Sequence, residues 1–229
     1  MSDTSLPGGN NEGNSRAIIG LIAGIPLTMI LAASWLWYFV VQGDIDLIGA
    51  IGTANNGTLL DPPRQMEAVA FRDDAGAAFA WEDLEQRWTI VVPHQGAVCD
   101  AQCERRLYFT RQIHIALGRD FKRVQRVMVN DHSLSALSIT IPQTKPEGWP
   151  EGLVGERLAD YLAVAQQGLI ALEVDTNTWG AMFPELAADA NQWYLVDPAG
   201  WIMMRFDDSL DYKAVLSDLK FLLKNSGGA

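Results

Sequence analysis

The sequence is poor in basic residues and in the side chains that most often hold metals. It contains 17 Lys and Arg against 28 Asp and Glu, which gives a formal net charge of −11, and it has only two cysteines and three histidines. Nucleic-acid binders need clustered Lys and Arg to displace counterions, so this composition argues against a nucleic-acid partner. The sequence shows no internal repeat. Any thiol chemistry must use the single cysteine pair.

The 229 residues and the 48% hydrophobic content suffice for one packed domain with appendages. Residues 17–41 contain no charged side chain, and a bilayer-spanning helix needs about 20 apolar residues. Three aromatic residues gather near the end of this run, where rings favour the membrane interface. We therefore predict a retained transmembrane anchor at 17–41. A cleaved signal peptide is the alternative, but its apolar region would be shorter.

The charges beside the anchor predict its orientation. Arg16 precedes the run directly, whereas Asp44 and Asp46 follow it and the next basic residue is Arg64. Positive residues favour the cytoplasmic side. We predict a disordered cytoplasmic tail at 1–16, an ordered tether at 42–64 and a folded domain at 65–225. In a bacterium, the anchor would lie in the inner membrane and the domain in the periplasm, where cysteines oxidise readily.

The pattern after the tether predicts an α/β domain. The successive segments are a hairpin formed by 68–71 and 77–80, a strand at 88–92, a helix at 104–117, a strand at 124–130, a helix at 153–167, a strand at 169–174, a loop at 175–191, a hairpin within 192–206 and a helix at 210–223. The strand–helix–strand unit implies parallel pairing. This order is that of a thioredoxin-like domain, with a central mixed sheet flanked by helices.

Cys99 and Cys103 fall between the strand at 88–92 and the helix at 104–117. A helix N-terminus favours thiolates, which suits redox or soft-metal chemistry. Asp100 and Glu104 would oppose thiolate formation, or they are ordinary acids of a first helical turn. The pair therefore has three interpretations, which are thiol–disulfide exchange, Cu(I) binding and a structural disulfide. A disulfide that closes so short a loop adds little stability, which weakens the structural interpretation.

Several segments together resemble the Sco/SenC family of membrane-anchored thioredoxin-fold proteins. They are the anchor, the hairpin sequence at 71–76, the Cys-x-x-x-Cys spacing and the sequence Tyr-Leu-Val-Asp-Pro-Ala-Gly at 194–200. The resemblance implies a role in copper delivery to cytochrome c oxidase, with a subunit of that enzyme or another assembly factor as partner. In the family, a histidine before the last hairpin completes the copper site, but Asp189 occupies that position here. Asp100 and Glu104 also replace the prolines that typically follow the two cysteines. The chain is identified as a divergent member.

Two thiolates can hold Cu(I), whereas Cu(II) usually needs added nitrogen ligands. His94 is a candidate third ligand, five residues before Cys99, and the other candidates are less favoured by their position. They are Met182, Met203, Met204, His114 and His132. Trp179, Trp193 and Trp201 suggest either a docking surface or ordinary core packing.

The leading hypothesis is a membrane-anchored accessory protein of cytochrome c oxidase assembly. It would handle Cu(I) or a partner's thiols through Cys99 and Cys103, and it would not turn over a small molecule. The alternatives are a periplasmic thiol–disulfide oxidoreductase, which is an enzyme, and a degenerate thioredoxin-fold scaffold.

Overall fold

The structure is a computed structural model that describes residues 11–41, 55–140 and 157–226. The chain divides into two compact units, Met1–Ala54 and Asn55–Ala229, and each is described by itself. Three closely spaced prolines predict a loop at 138–149, which lies outside the described residues from 141 onward, as do 1–10 of the predicted tail and 42–54 of the predicted tether.

The described part of the first unit is one helix, α1, at Asn11–Val41, with Pro26 inside it. The helix begins within the segment predicted to be a disordered tail. Its apolar side chains are widely exposed, and Met29 and Trp37 each have 68% of their surface accessible. Counting only residues that the structure describes, no helix combines the length and the apolar character that a membrane crossing requires. The anchor at 17–41 therefore stays a prediction.

The second unit is an α/β domain with ten strands and four helices among its described residues. The strands are β1 Thr58–Gln65, β2 Phe71–Arg72, β3 Ala78–Phe79, β4 Trp88–His94, β5 Val98–Cys99, β6 Val124–Asn130, β7 Ser138–Ile139, β8 Leu169–Glu173, β9 Trp193–Val196 and β10 Trp201–Phe206. The helices are α2 Ala101–Ala116, α3 Leu158–Ala165, α4 Thr176–Met182 and α5 Tyr212–Asn225. Short 3₁₀ turns join several of them.

Eight strands form one mixed sheet in the order β1-β10-β9-β4-β6-β8-β2-β3, and β5 pairs with β7 in a small separate sheet. Strands β4, β6 and β8 run parallel, whereas β9 is antiparallel to β4. The predicted strand–helix–strand unit is confirmed, because β4 and β6 pair in parallel from Trp88 opposite Val124 to His94 opposite Asn130. Both predicted hairpins are also confirmed, as β2–β3 and β9–β10.

The sheet separates two apolar cores. One contains both cysteines and packs under α2, α3 and α5, with Ile90 and Leu107 fully buried. The other lies on the opposite face around Val91, Phe183 and Tyr194. The central strand β4 is buried along its whole length, since none of its seven residues is more than 8% exposed. A strand covered on both faces is expected to read as a nearly continuous apolar run.

The loop predicted for 175–191 is wrong, because this segment contains α4 and a 3₁₀ turn at Pro184–Ala187. Asp175 caps α4, since its side chain accepts hydrogen bonds from the N–H groups of Asn177 and Thr178. Trp179, Phe183 and Leu186 then face the second core at helical spacing. The capping residue and this spacing are a helix signal.

Part of the predicted tether is an edge strand of the sheet. Strand β1 pairs with β10, with a register shift between Leu59 and Arg64, and Pro62 and Pro63 suit an edge position because proline cannot donate to a ladder. Just before it, the buried carboxylate of Asp218 on α5 accepts hydrogen bonds from the N–H groups of Asn56 and Gly57, both at 2.8 Å. These two hydrogen bonds therefore hold the first residues of the folded unit against α5, its last helix.

Candidate functional site

The cysteine pair forms a disulfide at the start of α2. Cys99 ends β5, Cys103 lies in the first turn of α2, and their Cα atoms are 5.2 Å apart, within the usual range for a disulfide. The pair lies at a strand-to-helix junction, but the strand is β5 and not the predicted 88–92, and the helix begins three residues earlier than predicted, so that it includes Cys103. Cys99 is 0% exposed and Cys103 is 2% exposed, so the sulfur atoms are covered by the domain.

Asp100, the residue between β5 and α2, begins the helix. Its Oδ1 accepts hydrogen bonds from the N–H groups of Gln102 at 3.1 Å and Cys103 at 2.9 Å. Such a cap satisfies backbone donors that the first helical turn leaves without partners. The interpretation of Asp100 as an acid of the first turn therefore fits the structure. The same cap places the Cys103 backbone at the positive end of the α2 dipole.

The other end of the pair is held by the small sheet. Cys99 lies opposite Ile139 in the parallel β5–β7 pair, and the Thr140 N–H donates to the Cys99 carbonyl at 3.0 Å. The Thr140 hydroxyl donates to the same carbonyl at 3.3 Å. Because both neighbouring backbones are tied, the disulfide sits in an ordered frame and not on a free loop.

Glu104, the residue after Cys103, is 1% exposed and belongs to a buried polar network beneath α2. The Tyr161 hydroxyl donates to Glu104 Oε1 at 3.1 Å, and Gln166 Nε2 donates to the Tyr161 hydroxyl at 3.2 Å. Arg126 then donates to Gln166 Oε1 at 2.9 Å and to Thr110 Oγ1 at 3.1 Å. Burial lowers the pKa of Arg126 to about 9 and raises that of Tyr161. The network links α2, α3 and β6.

A cleft of about 200 Å³ lies beside the cysteine segment, at the carboxyl end of β4. Its wall contains both buried and exposed side chains. They are Pro93, His94, Gln95, Val98, Asp100, Gln102, Arg106, Trp179, Leu186 and Ala190. Ligands of open α/β sheets commonly bind at the carboxyl ends of the strands. We define these residues as the His94–Arg106 cleft.

His94 and Arg106 are the two buried polar residues of the cleft wall that carry an ionisable side chain, with 5% and 6% exposure. Arg106 Nη1 donates to the Ala190 carbonyl. Burial lowers the pKa of the Arg106 guanidinium, whereas Asp208, Asp100 and Asp189 raise it. Burial also lowers the pKa of His94 below its ordinary value of 6.5, and the Arg106 charge lowers it further. At neutral pH, His94 is therefore neutral and Arg106 is charged.

The other histidines proposed from the sequence lie elsewhere. His114, near the far end of α2, has its Nε2 2.9 Å from the carbonyl oxygens of both Phe121 and Val124. His132 lies 2.7 Å from Asp131. Neither residue lines the His94–Arg106 cleft. Of the three histidines, His94 is the one that lines this cleft.

The methionine and tryptophan candidates are distributed through the fold. Met182 packs in the core opposite the cysteines, and Met204 is buried on β10. Trp193 is fully buried and stacks on Phe206, so it supplies core packing and not a docking surface. Trp179 lines the cleft and donates from Nε1 to the Val129 carbonyl at 3.2 Å.

The residues around the pair do not fit a copper ion while the disulfide is closed, because both sulfur atoms are used in the S–S bond. Within the described ranges, no group of three His, Cys, Asp or Glu side chains is arranged to hold a metal. Asp189, at the position of the family's histidine, accepts a hydrogen bond from Asn191 N at 2.9 Å and acts electrostatically on Arg106. The buried Arg106 guanidinium therefore already interacts electrostatically with the Asp189 carboxylate.

Arg106 and the partners of Glu104 were not among the site residues predicted from the sequence. Arg106 follows Cys103 by three residues, so helical geometry places both on neighbouring positions of one helix face. The three-residue spacing between Cys103 and Arg106 could therefore have identified Arg106 as a candidate site residue. Tyr161, Gln166 and Arg126 come from α3, the turn after it and β6, and no local pattern connects these segments with Glu104.

The described domain is similar to several solved thioredoxin-fold structures. Yeast Sco1 matches with 14% identity and a TM-score of 0.49, over 78% of this chain and 100% of that chain. Copper-bound ScoI of Arabidopsis thaliana matches with 12% identity and a TM-score of 0.48, over 73% and 98%. The thioredoxin domain of a Bacteroides vulgatus thiol-disulfide oxidoreductase matches with 13% identity and a TM-score of 0.41, over 69% and 98%. Sco proteins are thus among the structures to which the chain is similar, as the sequence resemblance led us to expect.

No curated protein sequence matches the chain. A family model described as "Transmembrane-like, thioredoxin-like, C-terminal domain" matches residues 88–148 and 154–226. These segments contain the disulfide, α2, most of the cleft wall and the final hairpin with α5. Because the match covers more than half of the chain, the protein belongs to the family of transmembrane-like, thioredoxin-like C-terminal domains.

Proposed function

We propose that the protein exchanges its Cys99–Cys103 disulfide with the thiols of a partner during cytochrome c oxidase assembly. The observation that carries this proposal is a disulfide at the N-terminus of α2 in a domain of a thioredoxin-like family. A helix N-terminus stabilises a thiolate leaving group, which favours exchange. The assembly context comes from the sequence resemblance to Sco/SenC proteins.

The exchange starts from the oxidised pair. A thiolate of the partner attacks one sulfur of the Cys99–Cys103 bond, a mixed disulfide forms, and the released sulfur takes up a proton. A second thiolate of the partner then attacks the mixed disulfide. The protein finishes with two thiols and the partner with one disulfide, so two electrons and two protons have moved from the partner to this chain. The reverse sequence reduces a partner disulfide.

The proposal includes the membrane anchor and its orientation. The run 17–41 is uncharged, and the described apolar side chains of α1 are widely exposed, as side chains that contact lipid would be. Arg16 before the run favours a cytoplasmic N-terminus. We propose that a bacterial inner membrane holds the chain and that the thioredoxin-like domain lies in the periplasm, near a membrane-bound oxidase.

Cu(I) transfer by the reduced pair is the second candidate. The supporting observation is His94, whose buried Nε2 has no hydrogen-bond partner among the described residues. Two thiolates and one imidazole are donors that Cu(I) accepts. The nearby Arg106 charge opposes this arrangement, because it disfavours a second cation beside His94. We therefore rank copper transfer below thiol exchange.

The experiment for the first candidate is a redox titration of the full chain in detergent micelles. The protein is equilibrated in glutathione buffers of graded potential, and the fraction with alkylated thiols is measured by mass spectrometry. We expect one reversible two-electron transition. In parallel, oxidase activity is measured in cells that lack the protein and are complemented with wild type or with Cys99→Ser/Cys103→Ser.

Loss of oxidase activity with the double variant, together with the reversible transition, would support exchange. Full activity with the double variant would instead indicate the scaffold hypothesis. A pair that the glutathione buffers cannot reduce would contradict exchange and indicate a structural disulfide. Anaerobic Cu(I) titration of the reduced protein against a competing chelator tests the second candidate, and binding that persists in the double variant would reject it.

A further inference from the structure

Strand β8 is fully paired on one side and open along most of the other. All five of its residues lie opposite residues of β6 in parallel register. On the other side, Arg72 of β2 opposite Glu173 is the one pairing among the described residues, because the chain turns back on itself at 73–76. The edge of β8 at 169–171 therefore has no neighbouring strand within the described domain.

The direction of the backbone groups shows what this open edge offers. The Val174 N–H donates to the Asn130 carbonyl of β6, and the groups of successive strand residues alternate between the two sides of a strand. The N–H and C=O of Ala171 consequently point away from β6, and neither has a hydrogen-bond partner among the described residues. The Leu169 carbonyl points the same way, whereas the Leu169 N–H donates to the Gln166 carbonyl. Three backbone groups are thus available to an added strand.

A cavity of about 490 Å³ lies at this edge, between β8 and β3. We name it the β8 notch, and its lining consists of 169–171, Phe79, Leu84, Gln125 and the four carboxylates of Asp73, Asp74, Asp83 and Glu85. Ile170 and Phe79 pack against one core of the sheet, Leu169 and Ala171 pack against the other, and all four are partly exposed. The side chains of an added strand alternate between the two faces, so they would contact apolar groups on both.

Carboxylates lie at both ends of the open stretch. Asp73 and Asp74 directly follow β2, which pairs with the last residue of β8, so they flank the carboxyl end. Glu85 flanks the amino end, because its carbonyl accepts a hydrogen bond from Gln125 Nε2 at 2.9 Å, and Gln125 precedes the β6 residue opposite Leu169. A bound segment would therefore meet negative charge on both sides of its central residues.

These charges select the occupant of the notch. None of the described residues that line it is Lys or Arg, and the whole chain has a net charge of −11. A second copy of the chain would bring further negative charge, which opposes edge-to-edge pairing. The opposite edge of the sheet is protected differently, because Pro62 and Pro63 of β1 lack the N–H groups that pairing needs. A segment with basic residues is the strand that the β8 notch attracts.

We propose that the β8 notch binds an extended segment of a basic partner polypeptide, which adds a short strand to the sheet beside Ala171. About three apolar residues of the segment would occupy the open stretch, and Lys or Arg on both sides of them would face the carboxylates. Main-chain hydrogen bonds supply the affinity in recognition of this kind. The notch shares no lining residue with the His94–Arg106 cleft, so the binding does not depend on thiol exchange.

The test measures hydrogen exchange of the Ala171 amide in the full chain in detergent, by mass spectrometry at single-residue resolution. The probe is acetyl-Lys-Lys-Val-Ile-Val-Lys-Lys-amide. Without the peptide, the Ala171 N–H should exchange as an unpaired amide does, and saturating peptide should slow this exchange at least tenfold. The N–H groups of Ile170 and Leu172, which point towards β6, should exchange slowly in both states.

Two control peptides separate the contributions of charge and backbone. One carries Glu in place of every Lys, and the other carries an N-methyl group on each of the three central residues. Each should bind at least tenfold more weakly than the probe. The proposal is overturned if the Ala171 amide is already protected without peptide, if the probe does not slow its exchange, or if either control binds equally well.

Asp74→Lys/Glu85→Lys should weaken binding of the probe at least tenfold. Asp61→Lys/Glu67→Lys makes the same change in net charge at exposed residues outside the notch, and its affinity should stay within about threefold of wild type. Equal effects of the two variants would reduce the attraction to net charge and overturn the proposal. So would protection of Ala171 that rises with protein concentration alone, because it would show pairing between two copies. If the first variant does not fold, the peptide comparison on wild type decides.

Discussion

Helix α2 contributes to two buried polar regions that differ in how completely they are paired. On one side, Glu104 joins a chain of hydrogen bonds through Tyr161 and Gln166 to Arg126. On the other side, Arg106 makes one bond to the Ala190 carbonyl, and its Nε and His94 Nε2 have no partner among the described residues. In the first region, Arg126 Nε is also unpaired, but its Nη2 has three acceptors.

The difference indicates different roles for residues only two positions apart. A buried polar network with connected hydrogen bonds rigidifies the core and loses stability when one member is removed. Unpaired buried atoms lower stability, because no hydrogen bond offsets the loss of their hydration. We therefore expect the Glu104 side of α2 to contribute more to stability than the Arg106 side.

The largest effect is expected from Arg126→Met, which removes the cation of the paired region. Gln166 Oε1, Thr110 Oγ1 and the Leu107 carbonyl would each lose a donor inside the core. We expect the free energy of unfolding to fall by about 3 kcal/mol. Urea denaturation followed by tryptophan fluorescence measures it. The control is Arg119→Met, whose side chain is 94% exposed, and an equal loss there would contradict the assignment.

Tyr161→Phe tests the middle of the same network with a smaller change. It removes the hydroxyl that donates to Glu104 and accepts from Gln166, and leaves the ring in place. We expect a loss of about 1.5 kcal/mol in the free energy of unfolding. Tyr108→Phe, on the exposed face of α2, is the matched control and should change stability by less than about 0.5 kcal/mol. Equal effects would show that the network is not stabilising.

Arg106→Gln tests the other side of the comparison. The variant loses the bond to the Ala190 carbonyl but also removes an unpaired donor and a buried charge. We expect the free energy of unfolding to change by less than about 1 kcal/mol, in contrast to Arg126→Met. Thermal and urea unfolding of both variants in parallel provide the measurement. A loss as large as that of Arg126→Met would assign Arg106 to stability and erase the distinction.

The smallest effect concerns pH. Burial lowers the pKa of His94 and of His114 below 6.5, so the unfolded chain takes up protons that the folded chain does not as the pH falls below that value. The stability contributed by each neutral histidine is fully present above pH 6.5 and decreases as the pH falls towards the folded pKa. His94→Gln should flatten this decrease in urea unfolding between pH 7 and pH 5. A pH dependence of His94→Gln equal to that of wild type would contradict this prediction.

Much of the fold followed from local patterns. The strand at 124–130 was predicted with its observed bounds, and the parallel pairing and the two hairpins were predicted from the order of segments. Helix α4 could have been predicted, since Asp175 and the spaced apolar residues were visible in the sequence. Strand β1 could not have been predicted from the sequence, because its two prolines disfavour a strand. Only pairing with β10 overcomes that preference.

For the candidate site, the sequence alone determined the positions of Cys99 and Cys103 at a strand-to-helix junction, because alternation and helical spacing are local properties of the chain. It also showed the absence of the family's histidine at Asp189. Only the tertiary structure decided that both sulfurs are covered, that Glu104 is buried against Tyr161, and that His94 and Arg106 share a cleft. Burial and hydrogen-bond pairing depend on which distant segments meet, and the packing of α2 against β4, β6 and α3 settles that.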